Sequence, residues 1–397
     1  MALHHLLGHE GARGDVLRAV QARTLPGALL LKGTRGIGKQ RMALWIAQLM
    51  LCEQPTASGP CDGCRACKLS LRLEHPDVHW YFPLPRPTGA PTPEKMADAL
   101  EEARHGRLAE LREQSLQRPV VQFLEKKPVV EGIYLAAVRT LRRRANQRPS
   151  MGQEQIFIIG DAEALVPQEA SPEAANALLK LLEEPPEATR FILTSSEPGS
   201  LLDTIRSRTV PLQLGPLEPG TVAAFLQEQL AIDADAALRA ARLAQGSLGR
   251  ALGYLPDDEG NPGSLEQLRK AAVRLLVAAL SPRPGDVFTE ALGTGTTGGR
   301  AFVELLDALT VWLRDLAAIQ CGQTAQVANH DAIEWLQKQG ERTQVTAEAC
   351  ARALDRVEVA ALQAAGNVNP QLIVAGLLHE LRTILHATAT AEPGVRA

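Results

Sequence analysis

The sequence predicts an N-terminal α/β domain built on a parallel sheet, followed by a region that contains only helices. Three short apolar runs, at residues 28–33, 155–160 and 190–196, have the length and the boundaries of buried strands. Helical patterns separate these runs, and strands that alternate with helices indicate a parallel sheet covered on both faces. Beyond residue 215 the strand signals largely stop and amphipathic helical patterns follow.

The first apolar run leads into a glycine-rich turn, GTRGIGKQ, which begins at Gly33 and ends at Gln40. A helical pattern follows, so the turn stands between a strand and a helix, as a phosphate-binding loop does. Gly33, Gly36 and Gly38 allow backbone N–H groups to face phosphate oxygens at a helix N-terminus, and Lys39 is placed to reach the β- and γ-phosphates. These four residues are therefore the nucleotide-binding candidates.

Two positions that should bind magnesium are altered. The phosphate-loop pattern ends in Ser or Thr, whose hydroxyl ligates the ion, but this chain has the longer amide of Gln40. The second strand continues as IFIIGDAEAL, so that Gly160 replaces the magnesium Asp in one register. In the other register Asp161 is the ligand and Ala162 replaces the Glu that activates water. We predict that the degenerate site does not bind nucleotide or does not hydrolyse it.

Four cysteines follow the first helix with the spacing C-x8-C-x2-C-x2-C, namely Cys52, Cys61, Cys64 and Cys67. Four thiolates this close in sequence can converge on one tetrahedral Zn²⁺ ion. An iron–sulfur cluster is the alternative, because C-x2-C-x2-C also begins ferredoxin motifs. The Cys-Pro that follows in those motifs is missing, which favours a structural zinc ion.

Arginines in two places are compatible with either a surface role or a functional one. Arg208, in TIRSRT after the third predicted strand, is either a surface charge or an arginine finger that reaches a neighbour's nucleotide. The basic helix that precedes the second strand is either a solvated face or a phosphate-contacting surface. Its candidate DNA-binding residues are Arg139, Arg142, Arg143 and Arg144.

The composition narrows the class of protein. The net charge of −3 gives no global basic field, so any contact with DNA must be local. Hydrophobic residues make up 45% of the chain and aromatic residues only 4%, which predicts aliphatic cores. The first residues lack the features of an export signal, and no apolar run reaches membrane-spanning length. A cytoplasmic protein is expected.

Taken together, these motifs resemble the delta-prime subunits of the bacterial DNA polymerase III clamp loader. The resemblance rests on GTRGIGKQ, the four-cysteine cluster, NALLKLLEEPP, FILTSSEP, TIRSRT and GSLGRAL. It is strong over residues 8–255 and weak beyond, where only GNVNPQLIVAGLL is similar to the family's last helix.

The resemblance implies an AAA+ P-loop domain with a zinc-binding insertion at residues 1–215. It further implies a small helical lid at residues 216–258 and an all-α collar domain at residues 259–397 that joins a hetero-pentamer. The segment 78–130, whose charged part from Glu94 onward has a helical pattern, is longer than in compact members of the family.

Residue by residue, the resemblance makes Arg208 the arginine finger that acts in trans. The family usually has Cys where Thr209 stands. Arg250 of GSLGRAL matches the second sensor arginine, and Ser195 or Ser196 lies in the first sensor region. The basic helix matches one that faces the DNA chamber.

The implied function is that of a non-catalytic stator, which supplies a finger to a neighbouring ATPase subunit while the sliding clamp is loaded onto primer-template DNA. The implied partners are the gamma/tau and delta subunits, the clamp and DNA. An active gamma/tau-type ATPase is the main alternative, but it would require Ser or Thr at position 40 and an intact acidic pair. A zinc-dependent nucleic-acid-binding module and a scaffold without a finger are the others.

Overall fold

The computed structural model describes residues 5–113, 131–165, 173–257, 259–293, 300–364 and 368–386. These residues form two compact units. The first unit extends to residue 221 and also includes residues 247–249, whereas the second contains residues 222–246 and those from 250 onward. The domain boundaries after residues 215 and 258 stay predictions.

A five-stranded sheet forms the centre of the first unit. In chain order the described strands are β1 (Ala28–Lys32), β2 (Val78–Tyr81), β3 (Leu84–Pro85), β4 (Glu131–Gly132), β5 (Gln155–Ile159), β6 (Thr189–Ser195) and β7 (Val210–Gln213). The order in the sheet is β2-β5-β6-β1-β7, and all neighbouring strands in it are parallel, which confirms the predicted α/β architecture. The other two strands, β3 and β4, form a short antiparallel pair.

Helices cover both faces of this sheet. They are α1 (Glu10–Gln21), α2 (Lys39–Leu51), α3 (Arg65–Leu71), α4 (Pro93–Glu113), α5 (Leu135–Ala145), α6 (Glu173–Glu183) and α7 (Asp203–Arg206). Successive side chains of a strand point to opposite faces, so Leu29 and Leu31 of β1 pack in the core that includes α1 and α2. Leu30 packs in the opposite core with α5 and α6. The three inner strands were all predicted, because burial on both faces makes them continuously apolar.

The predicted helical insertion is present as α4, which packs against α5. Leu100 of α4 is buried beside Leu84 and Ala136. The part of the insertion at residues 114–130 lies outside the described residues.

The second unit is helical, as predicted for the C-terminal region. The helices that follow β7 are α8 (Pro219–Leu230), α9 (Ala234–Leu243), α10 (Leu248–Tyr254), α11 (Ser264–Leu280), α12 (Gly285–Gly293), α13 (Arg300–Gln320), α14 (Ile333–Thr343), α15 (Ala347–Ala364) and α16 (Pro370–His386). Helix α13 packs against α11, α14 and α15, and Leu309 and Leu313 on it are fully buried. Among the described helices, none combines the length and apolar character needed to cross a lipid bilayer.

Candidate functional site

The glycine-rich turn joins β1 to α2, as the motif predicts. Gly36 and Gly38 have φ angles of 74° and 108°, which side chains with a Cβ rarely adopt. At Gly33 an added Cβ would lie 2.7 Å from the carbonyl oxygen of Leu214, so a larger residue does not fit there. The three glycines therefore have the roles in backbone geometry that a phosphate-binding loop requires.

The ammonium group of Lys39 is bound by the protein itself. Lys39 is only 5% exposed, and its Nζ donates to the carbonyl oxygens of Gly33 and Thr34 at 2.9 and 3.0 Å. It also donates to Oγ of Ser196 at 2.8 Å, so the structure brings the first sensor region to the phosphate loop. Since an ammonium has three N–H groups, these three oxygen acceptors match its hydrogen-bonding capacity.

The side chain of Gln40 contacts the other altered magnesium position, the segment of Gly160 and Asp161. Its Nε2 donates to Oδ2 of Asp161 at 3.3 Å. A Cβ at Gly160 would stand 3.0 Å from three atoms of the Gln40 amide group, so the two positions fit each other as Gln and Gly. The carboxylate of Asp161, the acidic residue that remains of the predicted magnesium-binding pair, is therefore hydrogen-bonded within the chain.

Residues distant in sequence form hydrogen bonds to carbonyl oxygens of the glycine-rich turn. Nε2 of His9 hydrogen-bonds to the carbonyl oxygen of Ile37 at 2.8 Å. Within the first unit, the Ser247 hydroxyl donates to the carbonyl oxygen of Arg35 at 2.9 Å. The N–H of Gly249 donates to the Gly36 carbonyl, also at 2.9 Å, and a Cβ at Gly249 would lie 2.8 Å from the Cα of Gly36.

Glu163 belongs to the same site, although the motif analysis did not single it out. Its Oε1 accepts a hydrogen bond from the N–H of Ser196 at 3.1 Å, whereas the buried Oε2 has no partner among the described residues. Burial, with a smaller contribution from the charge of Asp161, raises the pKa of Glu163. The signal that could have identified it is its place two residues after Asp161 in the acidic segment.

The four cysteines converge as predicted. Their sulfur atoms all lie within 4.8 Å of one another, and a tetrahedral site with Zn–S bonds of about 2.3 Å needs separations of about 3.8 Å. Three of the sulfurs accept a hydrogen bond from the backbone N–H of the next cysteine in the sequence, at 3.3 to 3.4 Å. The pairs are Cys61 N–H to Cys52 Sγ, Cys64 N–H to Cys61 Sγ, and Cys67 N–H to Cys64 Sγ.

The cysteines of the cluster differ in their electrostatic environment. Hydrogen bonds from the N–H groups of Cys64 and Gly63 lower the pKa of Cys61 to about 7, whereas burial raises the pKa values of Cys52 and Cys67. Donors aimed at sulfur stabilise thiolates, which are the form that binds zinc. The residues present can therefore hold one zinc ion.

The cysteine loop is attached to α2, the helix that follows the phosphate loop. Trp45 packs so closely on the loop that a Cβ at Gly59 would lie 2.9 Å from its ring. The guanidinium of Arg13 covers the Trp45 ring at 5.1 Å, and Gln48 donates to Asp62 at 2.6 Å. Folding of the cysteine loop thereby supports the position of α2.

Arg208 follows α7 on a short turn before β7. Its Nε donates to Oε2 of Glu183 at 3.1 Å and its Nη1 to the carbonyl oxygen of Thr204 at 3.1 Å. The side chain is 30% exposed. The hydroxyl of Thr209 donates back to the carbonyl oxygen of Ile205 at 3.1 Å and so fixes the same turn.

Arg250 lies in the second unit and forms an ion pair there. Its Nη1 donates to Oε2 of Glu304 on α13 at 2.7 Å. Burial acts to lower the pKa of Arg250, but the charge of Glu304, together with smaller contributions from Tyr254 and Asp307, outweighs it and the net effect is a raised pKa. The sensor role that the resemblance implies for Arg250 stays a prediction, and its carboxylate partner on a later helix was not predicted.

The basic helix α5 divides its arginines between two environments. Arg139, Arg142 and Arg143 are exposed. Arg144 is 27% exposed, and its Nη2 lies 2.7 Å from Oε2 of Glu101 on α4. The insertion therefore neutralises one of the four candidate DNA-binding residues and leaves three on the surface.

The fold and the loop together define the class of protein. A parallel sheet whose phosphate loop follows β1, with β6 and β7 on either side of that strand, and a helix-rich C-terminal region are those of an AAA+ P-loop protein.

The family follows from a sequence comparison. A family model described as DNA polymerase III, delta subunit, matches residues 10–218 of the 397, and the chain belongs to this family.

Individual relatives agree with this assignment. DNA polymerase III subunit delta' of Escherichia coli K12 is 30% identical over 231 residues, which are 58% of this chain and 55% of that protein. The subunit delta' of Pseudomonas aeruginosa is 34% identical over 231 residues, or 54% of this chain and 55% of the relative. The subunit gamma/tau of Mycobacterium tuberculosis is 28% identical over 235 residues, which cover 57% and 32%. The chain spans about half the length of the subunit delta' relatives it matches.

Proposed function

We propose that the chain is a non-catalytic stator subunit of the bacterial DNA polymerase III clamp loader, of the delta-prime type. Residues 216–258 act as its helical lid and residues 259–397 as its collar. In this role it assembles with gamma/tau and delta subunits into a hetero-pentamer that loads the sliding clamp onto primer-template DNA. Family membership supports the assignment. The geometry of Lys39 and Arg208 supports the proposal that this chain supplies a catalytic group to a neighbour without hydrolysing ATP itself.

The first cation is Lys39, and it carries the proposal. In an active P-loop enzyme this ammonium binds the β- and γ-phosphates, and a hydroxyl and an acidic residue hold magnesium. Here the ammonium is bound to three protein oxygens, and the magnesium region contains the Gln40 amide hydrogen-bonded to Asp161. Nucleotide binding would have to break these contacts without gaining a metal ligand from position 40.

The second cation is Arg208, which supplies chemistry to a neighbour. Part of its side chain is open to solvent, and its turn is fixed by hydrogen bonds from Thr209. A guanidinium that enters another subunit's site stabilises the charge of the phosphoryl-transfer transition state. The exposed arginines of α5 are proposed to contact DNA phosphates, and the four cysteines are proposed to hold a structural zinc ion.

The test is Arg208→Ala in a complex reconstituted with the cognate loader ATPases. In this complex the phosphate-loop Lys is replaced in every ATPase subunit except the one next to this chain. The measured turnover then comes from that single site. We expect the clamp- and DNA-stimulated turnover at that site to fall about 10³-fold with unchanged assembly.

Arg206→Ala is the matched control, because Arg206 lies on the same turn and pairs with Asp203 within its own helix. Equal rates for the wild type and Arg208→Ala would rule out the finger. Magnesium-dependent ATP hydrolysis by the isolated chain would rule out the non-catalytic role and favour the gamma/tau-type ATPase.

A further inference from the structure

Glu183 stands at an electrostatically unfavourable position. It is the last residue of α6, where the carbonyl end of a helix carries partial negative charge and disfavours a carboxylate. Pro185 and Pro186 follow and prevent the helix from continuing. The side chain is 58% exposed, so packing does not explain it either. What it contacts is Arg208, 25 residues later in the chain.

The contact orients the Arg208 guanidinium. Glu183 accepts from Nε and the carbonyl oxygen of Thr204 accepts from Nη1, so two different nitrogens of the planar group are fixed from the chain's own side. Two such contacts determine the plane of a guanidinium, whose five N–H donors have a rigid geometry. These two hydrogen bonds use two of the five N–H donors, and the donors of Nη2, together with the second N–H of Nη1, are left for an external ligand.

We propose that Glu183 is a positioning residue, which holds the Arg208 guanidinium ready for the nucleotide phosphates of the adjacent subunit. This inference rests on the proposed function. An exposed ion pair contributes only about 0–1 kcal/mol to folding, so the pair has little value for stability. A side chain that is already oriented loses less freedom when it meets the transition state, and this lowers the barrier to the reaction.

The variants Glu183→Ala and Glu183→Gln test this in the single-active-site complex described above. We expect Glu183→Ala to lower kcat about 3- to 10-fold and to leave the KM for ATP unchanged, because the finger acts on the transition state. Glu183→Gln keeps an oxygen that accepts from Nε, so its kcat should lie between those of the wild type and Glu183→Ala.

Two further measurements separate positioning from a structural role. Glu184→Ala is the matched control, since the exposed Glu184 is the next residue and has the same charge; its kcat should equal that of the wild type. In the Arg208→Ala background, Glu183→Ala should have no additional effect, because the group it positions is gone. Assembly measured by size-exclusion chromatography with light scattering should be the same for all variants.

The outcomes distinguish the two proposals. If Arg208→Ala lowers kcat but Glu183→Ala leaves it unchanged or raises it, positioning by Glu183 is wrong and the finger stands. An additive loss in the double variant, or an equal loss in Glu184→Ala, also contradicts positioning. If Arg208→Ala itself has no effect, the finger is wrong and the inference is wrong with it.

Discussion

Arg250 and Glu304 form a 2.7 Å ion pair in which the Glu304 side chain is only 4% exposed. The two residues are 54 positions apart and connect α10 to α13 within the second unit. A residue that matches a nucleotide sensor in sequence thus has a carboxylate partner in its own chain. This favours a structural role for Arg250, in keeping with the proposed non-catalytic function.

Removal of the Glu304 charge should destabilise the second unit. Glu304→Gln removes the strongest charge partner of the guanidinium, and loss of one partner of a buried pair costs about 3–5 kcal/mol. Because Arg250 is 20% exposed, we expect about 3 kcal/mol. Urea unfolding measures the change. Glu334→Gln, at an exposed position of α14, is the control. The double variant Arg250→Met/Glu304→Leu should recover most of the loss, and failure to recover would mean that the pair acts through other partners.

Lys39 should matter for folding and not for catalysis by this chain. Lys39→Met removes three hydrogen bonds of a buried ammonium, two of them to partly buried carbonyl oxygens, which costs about 1–3 kcal/mol. Thermal unfolding should show a lower Tm, while turnover in the reconstituted complex stays at the wild-type level. The exposed Lys180→Met is the control. A Tm equal to that of the wild type, with turnover lost, would indicate that Lys39 binds nucleotide.

Loss of one cysteine ligand should release the metal and loosen α2. We expect Cys64→Ser to reduce the zinc content from one ion per chain towards zero and to cost about 2 kcal/mol or more. For a unit of this size that corresponds to a decrease in Tm of about 4–8 °C. Elemental analysis and calorimetry measure the two effects. Cys321→Ser changes an exposed cysteine outside the cluster and should change neither. Iron in place of zinc would support the iron–sulfur alternative.

His79 should make the stability of the first unit depend on pH. Its ring stacks on Phe157 at 4.7 Å. Burial, with smaller contributions from Arg144 and Arg104, lowers the pKa of His79 to about 4. In the unfolded chain His79 has the ordinary histidine pKa of about 6.5. Between about pH 6.5 and pH 4 the unfolded chain therefore binds a proton that the folded chain does not, so the free energy of unfolding decreases as the pH falls through this range.

The measurement for His79 is urea unfolding at pH 7.5 and pH 5.0. We expect His79→Gln to reduce the difference between the two pH values by on the order of 1–2 kcal/mol, since one pKa unit corresponds to about 1.4 kcal/mol. His379→Gln, at an exposed position of α16, should leave the difference unchanged. If both variants retain the full pH dependence, other groups cause it.

The sheet could be predicted from the sequence only where burial makes a strand continuously apolar. β1, β5 and β6 are such strands, whereas the edge strands β2 and β7 were not predicted. β2 has the mixed sequence VHWY, and β7 contains Pro211, which an edge strand tolerates because one side of its backbone is unpaired.

In the candidate site, too, only part of the structure could be predicted from the sequence. Lys39 and Gln40 were found because a motif has fixed spacing. The contacts from Glu163, His9 and Ser247 depend on how distant segments pack, and no local pattern encodes them.

The complementary fit of Gln40 and Gly160 bears on how this protein could evolve. An acidic side chain at position 160 would meet the amide of Gln40, so the residue at each of the two positions limits what the other can be. We therefore expect substitutions at positions 40 and 160 to be accepted in pairs and not one at a time.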